Sequence, residues 1–261
     1  MGKTICIGAR KGGVGKTMTA ASLGVGLARE GKRTLVIDTD SQFSLTVSLG
    51  VKEPDKLPVT LATLINNIIS EKPFDPMDGI IRHPEGVYLL PANSSLTGIE
   101  LALAPLIGRE TVLRQYIETV KPLYDFILFD TAPTLDLLTV NALAASDSII
   151  IPIVPKFLDA KGLELLLKSI AQIRRQINPN LSIEGILLTM VDRRASHTRD
   201  VIELIENAYG GNIQIFSEHI PRSVRAAETS AHGVSIFTHD PNGRVAVAYQ
   251  SLVREVNSDA A

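Results

Sequence analysis

The stretch Lys11-Gly-Gly-Val-Gly-Lys-Thr17 decides how this chain folds. A β-prone segment, Thr4–Gly8, precedes it, and an Ala/Leu/Val-rich run, Ala20–Ala28, follows it. Strand, glycine-rich loop and helix in this order predict a phosphate-binding loop, because glycines let backbone N–H groups turn toward a polyphosphate and the helix N-terminus adds positive partial charge. The alternative, a flexible solvated turn, requires neither the strand before the loop nor the helix after it.

Each residue of the loop has an expected role at a nucleotide. Lys16 is expected to reach the β- and γ-phosphates, and the Thr17 hydroxyl is expected to bind Mg²⁺. Lys11 stands at the entrance of the loop, where an ordinary phosphate loop needs no charge. The predicted nucleotide contacts of the loop are Lys11, Gly12, Gly13, Val14, Gly15, Lys16, Thr17 and Met18.

Composition restricts the chain to a few classes of protein. Its 261 residues suffice for one large α/β domain or two small ones, and 45% hydrophobic residues support a sizeable core. A formal charge of −2 gives no overall attraction to nucleic acid or membranes, so a polyanion would need a local patch. The one cysteine, Cys6, excludes internal disulfides and cysteine-ligated clusters. Without a signal-peptide pattern or a membrane-length apolar run, we expect a cytoplasmic protein.

Apolar runs and helical patterns alternate along the chain. The predicted strands are Thr4–Gly8, Thr34–Asp38, Val87–Pro91, Phe126–Asp130, Ser148–Val154, Gly185–Val191 and about Ile213–Ile220. The predicted helices are Lys16–Glu30, Arg109–Lys121, Asp136–Ala145, Lys161–Asn178, Thr198–Tyr209 and Arg244–Val256. Nearly continuous Val/Ile/Leu strands alternating with helices indicate an α/β fold of the P-loop NTPase type: a doubly wound, mostly parallel sheet with helices on both faces.

Residues 1–261 are expected to form one domain, with no separate helix-turn-helix domain before the first strand. The segment Gly50–Arg82 is richer in Pro and Asp than its surroundings. We expect it to be an irregular surface excursion.

Three aspartates stand at predicted strand ends, where an open α/β sheet binds its ligands. Asp38 ends the second strand, and Asp40 lies in the loop that follows. Asp130 ends the apolar run Phe126–Asp130, as expected of a carboxylate that holds Mg²⁺ through water; Asp38 is a second possible metal ligand. An isolated aspartate after a strand is often only a cap or turn residue, but here the aspartates occur together with a phosphate loop.

Hydrolysis of a nucleotide requires a positioned water and positive charge near the transferred phosphoryl group. Asp40 is the best candidate to orient or activate that water, while Lys16 supplies charge. Lys11 cannot easily fold back from the loop entrance onto its own γ-phosphate. The position of Lys11 therefore favours a reach across a two-fold interface to the nucleotide of a second protomer.

These residues resemble the deviant Walker A ATPases, and most closely the ParA/Soj-type partition ATPases. The loop resembles the signature-lysine motif of the family, Asp38–Gln42 its Asp-x-Asp-Pro-Gln segment, and Phe129–Pro133 its metal-aspartate strand. Further matches follow in family order over essentially the whole chain, at Leu188–Arg194, Ile220–Arg225, Asp240–Pro241 and Ala248–Tyr249.

The resemblance implies an ATP- and Mg²⁺-dependent homodimer that sandwiches two nucleotides, with Lys11 crossing to the nucleotide of the partner. It also implies non-specific binding to double-stranded DNA, nucleoid association in the ATP state, and release by a ParB-like centromere-binding activator. By motif position, the DNA-contacting arginines fall on Arg194 and Arg225. The adenine is expected near Met190, Pro221 and Arg222.

The arginines also stand out without the resemblance. Arg193, Arg194, Arg199, Arg222 and Arg225 concentrate positive charge in a near-neutral chain, which either contacts phosphates or is an ordinary solvated face.

Three residues depart from the family pattern. Ser41 and Phe43 change the loop after Asp40, which is expected to differ in shape. Met18 removes a hydroxyl that would otherwise reach the α-phosphate.

Three other functions stay open. A MinD-like membrane-associated regulator would need a basic amphipathic C-terminal helix, and Val253–Ala261 is short and poor in large apolar residues. A metabolic relative is a second alternative. An iron-protein-type reductase would need cysteine ligands that this chain does not have, and a small-molecule ligase would leave the cluster of arginines unexplained. A ParA-like ATPase that positions a protein cargo would use the same chemistry.

Overall fold

The computed structural model describes residues 2–192 and 195–258. Within these ranges the strands form one sheet in the order β3-β4-β2-β5-β1-β6-β7. Their bounds are β1 Lys3–Ile7, β2 Thr34–Asp38, β3 Ile81–Arg82, β4 Tyr88–Leu90, β5 Phe126–Asp130, β6 Ser148–Ile153 and β7 Ser182–Leu188.

Helices follow most strands and cover the two faces of the sheet. Their bounds are α1 Lys16–Arg29, α2 Ser44–Ser48, α3 Leu61–Ile69, α4 Ile99–Leu103, α5 Val112–Val120, α6 Leu137–Ala145, α7 Phe157–Gln176, α8 Ser196–Tyr209, α9 Val224–His232, α10 Ile236–His239 and α11 Arg244–Ser258. Every strand pair is parallel except β3–β4. The predicted fold class, a doubly wound and mostly parallel sheet, is confirmed.

The sheet has one buried apolar cluster on each face. One cluster takes residues from α3 to α8, and the other takes residues from α1, α2, α10 and α11. Strand β1 lies between β5 and β6, so the connections after β1 and β5 leave toward opposite edges. This reversal opens a crevice at the carboxyl end of β1, where the loop of residues 11–17 lies.

Two glycines let α1 pack closely on both sides. A Cβ at Gly24 would lie 2.5 Å from Cγ1 of Val36 in β2, and a Cβ at Gly26 would overlap Val253 of α11. At these two positions the backbone of α1 therefore packs directly against the sheet on one side and against α11 on the other. This packing fixes the start of α1, and with it the loop, against the sheet.

Gly24→Ala is expected to destabilise the protein by roughly 1–3 kcal/mol, because the added methyl group overpacks the α1–β2 contact. Gly162 in α7 is the matched control, since a Cβ there meets nothing within 4 Å. Gly162→Ala is expected to stabilise by about 0.5–1 kcal/mol through helix propensity alone. Urea unfolding of both variants checks the pair, and equal effects would contradict the packing described.

The predicted strand Ile213–Ile220 is wrong. This segment makes only isolated bridges, Ile215 to Ile186 and Pro221 to Val191. Between the two bridges, Ser217 donates its hydroxyl to Glu255 Oε2 of α11 at 2.9 Å, and no continuous ladder forms. Strand β7 also ends earlier than predicted, at Leu188 instead of Val191.

The expectation of an irregular surface excursion over Gly50–Arg82 is wrong in part. Helix α3 lies within it and buries Leu61, Ala62, Leu64 and Ile65 in the core. A capping box formed by Thr60 and Thr63 starts this helix.

Candidate nucleotide site

The loop of residues 11–17 has the backbone of an anion cradle. Gly13 and Gly15 have φ values of 71° and 86°, a left-handed region that favours glycine. Gly15 stands directly before α1, so the unpaired N–H groups of the first helical turn face the loop. Thr189 fixes the loop from the end of β7, because its hydroxyl lies 2.8 Å from the Val14 carbonyl oxygen and 3.1 Å from that of Ile153.

Lys16 turns inward at the first position of α1. Its side chain is buried, and its Nζ donates to the Lys11 carbonyl oxygen at 3.4 Å. Burial lowers the pKa of Lys16, while the carboxylates of Asp130 and Asp40 act in the opposite direction. The structure thus brings the predicted cation and both predicted carboxylates within electrostatic reach of one another.

Asp38 and Asp130 lie side by side as register partners at the carboxyl ends of β2 and β5. Both oxygens of Asp130 are buried without a partner of hydrogen-bond geometry. Burial, reinforced by the charge of Asp38, raises the pKa of Asp130 well above its usual range; the nearby Thr17 hydroxyl and Lys16 ammonium oppose this shift only in part. In its ionised form such a carboxylate needs a positively charged ligand to balance it.

Asp38 is already engaged by its own chain. Its Oδ2 accepts from the backbone N and the hydroxyl of Thr46 at 2.8 and 2.7 Å, and its Oδ1 accepts from the Asp40 N at 3.2 Å. Burial raises the pKa of Asp38, and these hydrogen bonds lower it. The observed contacts give Asp38 a role in positioning α2, and its role as a metal ligand stays a prediction.

Asp40 lies in a tight turn between β2 and α2. Its Oδ1 accepts from the Gln42 N at 2.9 Å, and its carbonyl accepts from the Phe43 N at 2.8 Å. Phe43 has a φ of 44°, which is strained for a bulky residue. That the loop after Asp40 differs in shape from the family pattern stays a prediction.

The predicted adenine residues flank the same loop. A Cβ at Gly15 would lie 3.9 Å from Cε of Met190, which is 40% exposed and has a φ of 51°. Pro221 forms a bridge with Val191, and the Arg222 N donates to the Val191 carbonyl at 3.3 Å. Met190, Pro221 and Arg222 therefore lie on adjacent segments beside the loop.

Of the two predicted DNA-binding arginines, Arg225 is exposed near the start of α9. Ser223 caps this helix, its hydroxyl accepting from the Ala226 N at 3.4 Å. Arg194 lies outside the described residues.

A divalent cation fits the site by the chemistry of its donors. The unpartnered Asp130 carboxylate beside the Thr17 hydroxyl is a hard oxygen pair of the kind that Mg²⁺ prefers. No cluster of three or more His, Cys, Asp or Glu side chains suited to a metal occurs within residues 2–192 and 195–258. Mg²⁺ bound mainly through nucleotide phosphates and water needs only one or two protein ligands.

The sequence matches the family model described as an AAA domain over residues 2–183. It is 39% identical over 258 residues to the sporulation initiation inhibitor protein Soj of Bacillus subtilis, covering 98% of each chain. It is 36% identical to the chromosome partitioning protein ParA of Myxococcus xanthus, covering 98% of this chain and 88% of that one. The chain belongs to the ParA/Soj family of AAA-domain ATPases.

The fold of this ParA/Soj-family protein also occurs in a solved structure from Mycobacterium smegmatis, named cobyrinic acid a,c-diamide synthase with bound ATP analog and magnesium. The two chains are 31% identical with a TM-score of 0.85, over 97% of this chain and 93% of that one.

Sequence reasoning missed several residues that shape the site. Thr189 lies in the matched segment Leu188–Arg194 but was given no role there, and its hydroxyl fixes the loop from a distant part of the chain. Thr46, eight residues after Asp38, holds that carboxylate and lies in no recognised motif. Helix α9 was also not predicted. Ser223 before Val224 was the available signal for its start.

Proposed function

We propose that this protein is an ATP-dependent DNA-partition ATPase. In the proposed cycle, an ATP-sandwich homodimer binds double-stranded DNA without sequence preference and is released when a ParB-like partner stimulates hydrolysis. The observation that carries the nucleotide part is the buried, unpartnered Asp130 carboxylate beside Thr17 and Lys16. Similarity to Soj over 98% of both chains supports the partition role.

Each residue of the site has a distinct role in the proposed hydrolysis of ATP. Backbone N–H groups of the loop bind the phosphates, and Lys16 places its charge on the β- and γ-phosphates. Thr17 and, through water, Asp130 would hold Mg²⁺, which when bound supplies positive charge to the phosphate oxygens. Asp40 orients the attacking water. Lys11, exposed at the loop entrance, reaches the nucleotide of the second protomer.

Hydrolysis assays test this function. We expect slow ATP hydrolysis by the protein alone and faster hydrolysis when random duplex DNA and the product of the adjacent gene are both present. Absence of hydrolysis in every combination would contradict the proposal. Stimulation by a protein cargo adaptor in place of a centromere-binding protein would favour a ParA-like ATPase that positions protein cargo.

A ligase is the second candidate, because the solved structure from M. smegmatis carries the name of an amide-forming enzyme. Cys6, the one cysteine of the chain, is buried in β1, and burial raises its pKa, so this chain offers no thiolate that could release ammonia from glutamine. ATP consumption that depends on ammonia and a small carboxylic acid would favour this candidate.

A MinD-like membrane role finds less support. The apolar side of α11 packs against the core, with Tyr249, Leu252, Val253 and Val256 all buried. None of the helices in the described ranges combines the length and apolar character needed to cross a bilayer. Co-sedimentation with liposomes in the presence of ATP would overturn this preference.

Arg225→Ala is expected to weaken DNA binding in the ATP state and to reduce the dependence of the affinity on salt. The slope of log K against log[salt] is negative, and the loss of one phosphate contact per protomer reduces its magnitude by about 1.8 per dimer. Arg174→Ala is the matched control, because Arg174 is exposed on α7 at the opposite face of the sheet. Fluorescence anisotropy at several salt concentrations measures both slopes, and equal slopes would contradict the role of Arg225.

A further inference from the structure

Helix α2 is bound through its middle residue to the aspartate pair. Thr46 of α2 donates both its backbone N–H and its hydroxyl to Asp38. The same hydroxyl accepts from the Ala92 N at 2.9 Å, so Thr46 is fixed in a buried network. Asp38 in turn lies beside Asp130. The position of α2 therefore follows the arrangement of the carboxylates in the nucleotide site.

The C-terminal end of α2 touches α9. Ser48 donates its hydroxyl to that of Ser230 at 3.0 Å. Gly50 and Gly233 then bring the two backbones into direct contact, because a Cβ at Gly233 would lie 2.6 Å from the Gly50 Cα. No side chain separates the segments at this point, so a shift of one must displace the other.

Apart from α2, helix α9 is held mainly by His239 of α10, which lies 3.1 Å from Glu228 and stacks on His232, and by His83, whose Nε2 lies 3.4 Å from the Gly233 carbonyl oxygen. Thr229 is its one buried residue, and Arg225 is exposed on the same helix. The chain after it is anchored separately, since Glu85 accepts from the backbone N of Ser235 at 2.8 Å and from the hydroxyl of Thr238 at 2.7 Å. A shallowly packed helix between a fixed segment and α2 can change position at low cost in buried area.

A residue with strained backbone connects the nucleotide site to α2. Phe43, in the left-handed region, connects the turn of Asp40 to α2. A strained residue held by its surroundings suits an element that has two arrangements.

We propose that α2 is a lever that transmits the state of the nucleotide site to α9, through Thr46 at its centre and the Gly50–Gly233 contact just after its C-terminal end. The lever sets the position of Arg225 according to the bound nucleotide. This proposal rests on the proposed function, which supplies the nucleotide as ligand, but its test requires no DNA.

Hydrogen exchange measured by mass spectrometry tests the lever. In the wild-type protein, replacing ADP by a non-hydrolysable ATP analogue is expected to change exchange in residues 11–17, 44–50 and 224–233. Gly233→Ala, which forces α9 away from α2, is expected to keep the first two responses and to lose the third.

Gly31→Ala is the matched control. Gly31 also has a positive φ, 81° against 65° at Gly233, but a Cβ there meets nothing within 4 Å, so this variant carries left-handed backbone strain without the contact. It is expected to respond like the wild type. A double variant, Ser48→Ala with Ser230→Ala, removes the hydrogen bond without adding atoms and is expected to weaken the response at 224–233 even if Gly233→Ala does not fold.

The outcomes separate the two proposals. A response in residues 11–17 with unchanged exchange at 224–233 in the wild type overturns the lever alone, as does a full response in Gly233→Ala. A wild-type loop that does not respond to nucleotide overturns the proposed function and the lever with it. A complete lever response in a protein that does not bind DNA overturns only the DNA role.

Discussion

Asp40→Ala will hold the protein in its ATP-bound dimer and keep it on DNA. Removing the group that orients the attacking water is expected to lower the stimulated hydrolysis rate by about 10²–10⁴-fold. The loop, Lys16 and Thr17 stay intact, so nucleotide binding and dimerisation persist. Phosphate release and the lifetime of the protein on immobilised random DNA measure the two effects together.

Asp78→Ala is the control for this variant, because Asp78 is an exposed aspartate in a loop outside the site. It should hydrolyse ATP and leave DNA as the wild type does. Normal turnover in Asp40→Ala would rule out the assigned role of Asp40. Loss of nucleotide binding in that variant would point instead to a structural role for the turn between β2 and α2.

Lys11→Ala will abolish stimulated hydrolysis, and a second variant will restore part of it. In a mixed dimer with Asp40→Ala, the site that keeps Asp40 receives Lys11 from the other protomer if the lysine acts across the interface. An equal mixture then recovers roughly a quarter of the wild-type rate, since half of the randomly paired two-fold dimers contain one complete site.

The mixture distinguishes the two possible directions of Lys11. If Lys11 acts on the nucleotide of its own protomer, neither variant can complete a site in the other, and the mixture stays inactive. Each variant measured alone at the same total concentration provides the baseline. An inactive mixture in which mixed dimers have been demonstrated would contradict action in trans.

The sheet and the loop could be predicted because their signals are local. Continuous apolar strands such as Phe126–Asp130 indicate burial on both faces, and the parallel sheet follows from their alternation with helices. The same reasoning places Asp38 and Asp130 at one edge, where the structure has them as register partners.

The features that could not be predicted depend on contacts that no local sequence pattern reveals. The alternation over Ile213–Ile220 favours a strand, but Ser217 binds Glu255 of α11 and the strand does not form. Thr46 gives no sign in the sequence that it holds Asp38. The close approach of Gly50 and Gly233 likewise joins segments far apart in the chain, so neither glycine could be assigned a role beforehand.

The dimer and its dependence on nucleotide are tested most directly by measuring the mass of the particle in solution. The protein is measured with ADP or ATP at about 1 mM, the upper end of typical KM values, with Mg²⁺, and with or without random duplex DNA at low and high salt. We predict a monomer with ADP, a dimer with ATP, and DNA binding by the dimer alone that falls steeply as salt rises. A monomer under all conditions, or DNA binding that is equal with ADP and ATP, would contradict the proposed switch.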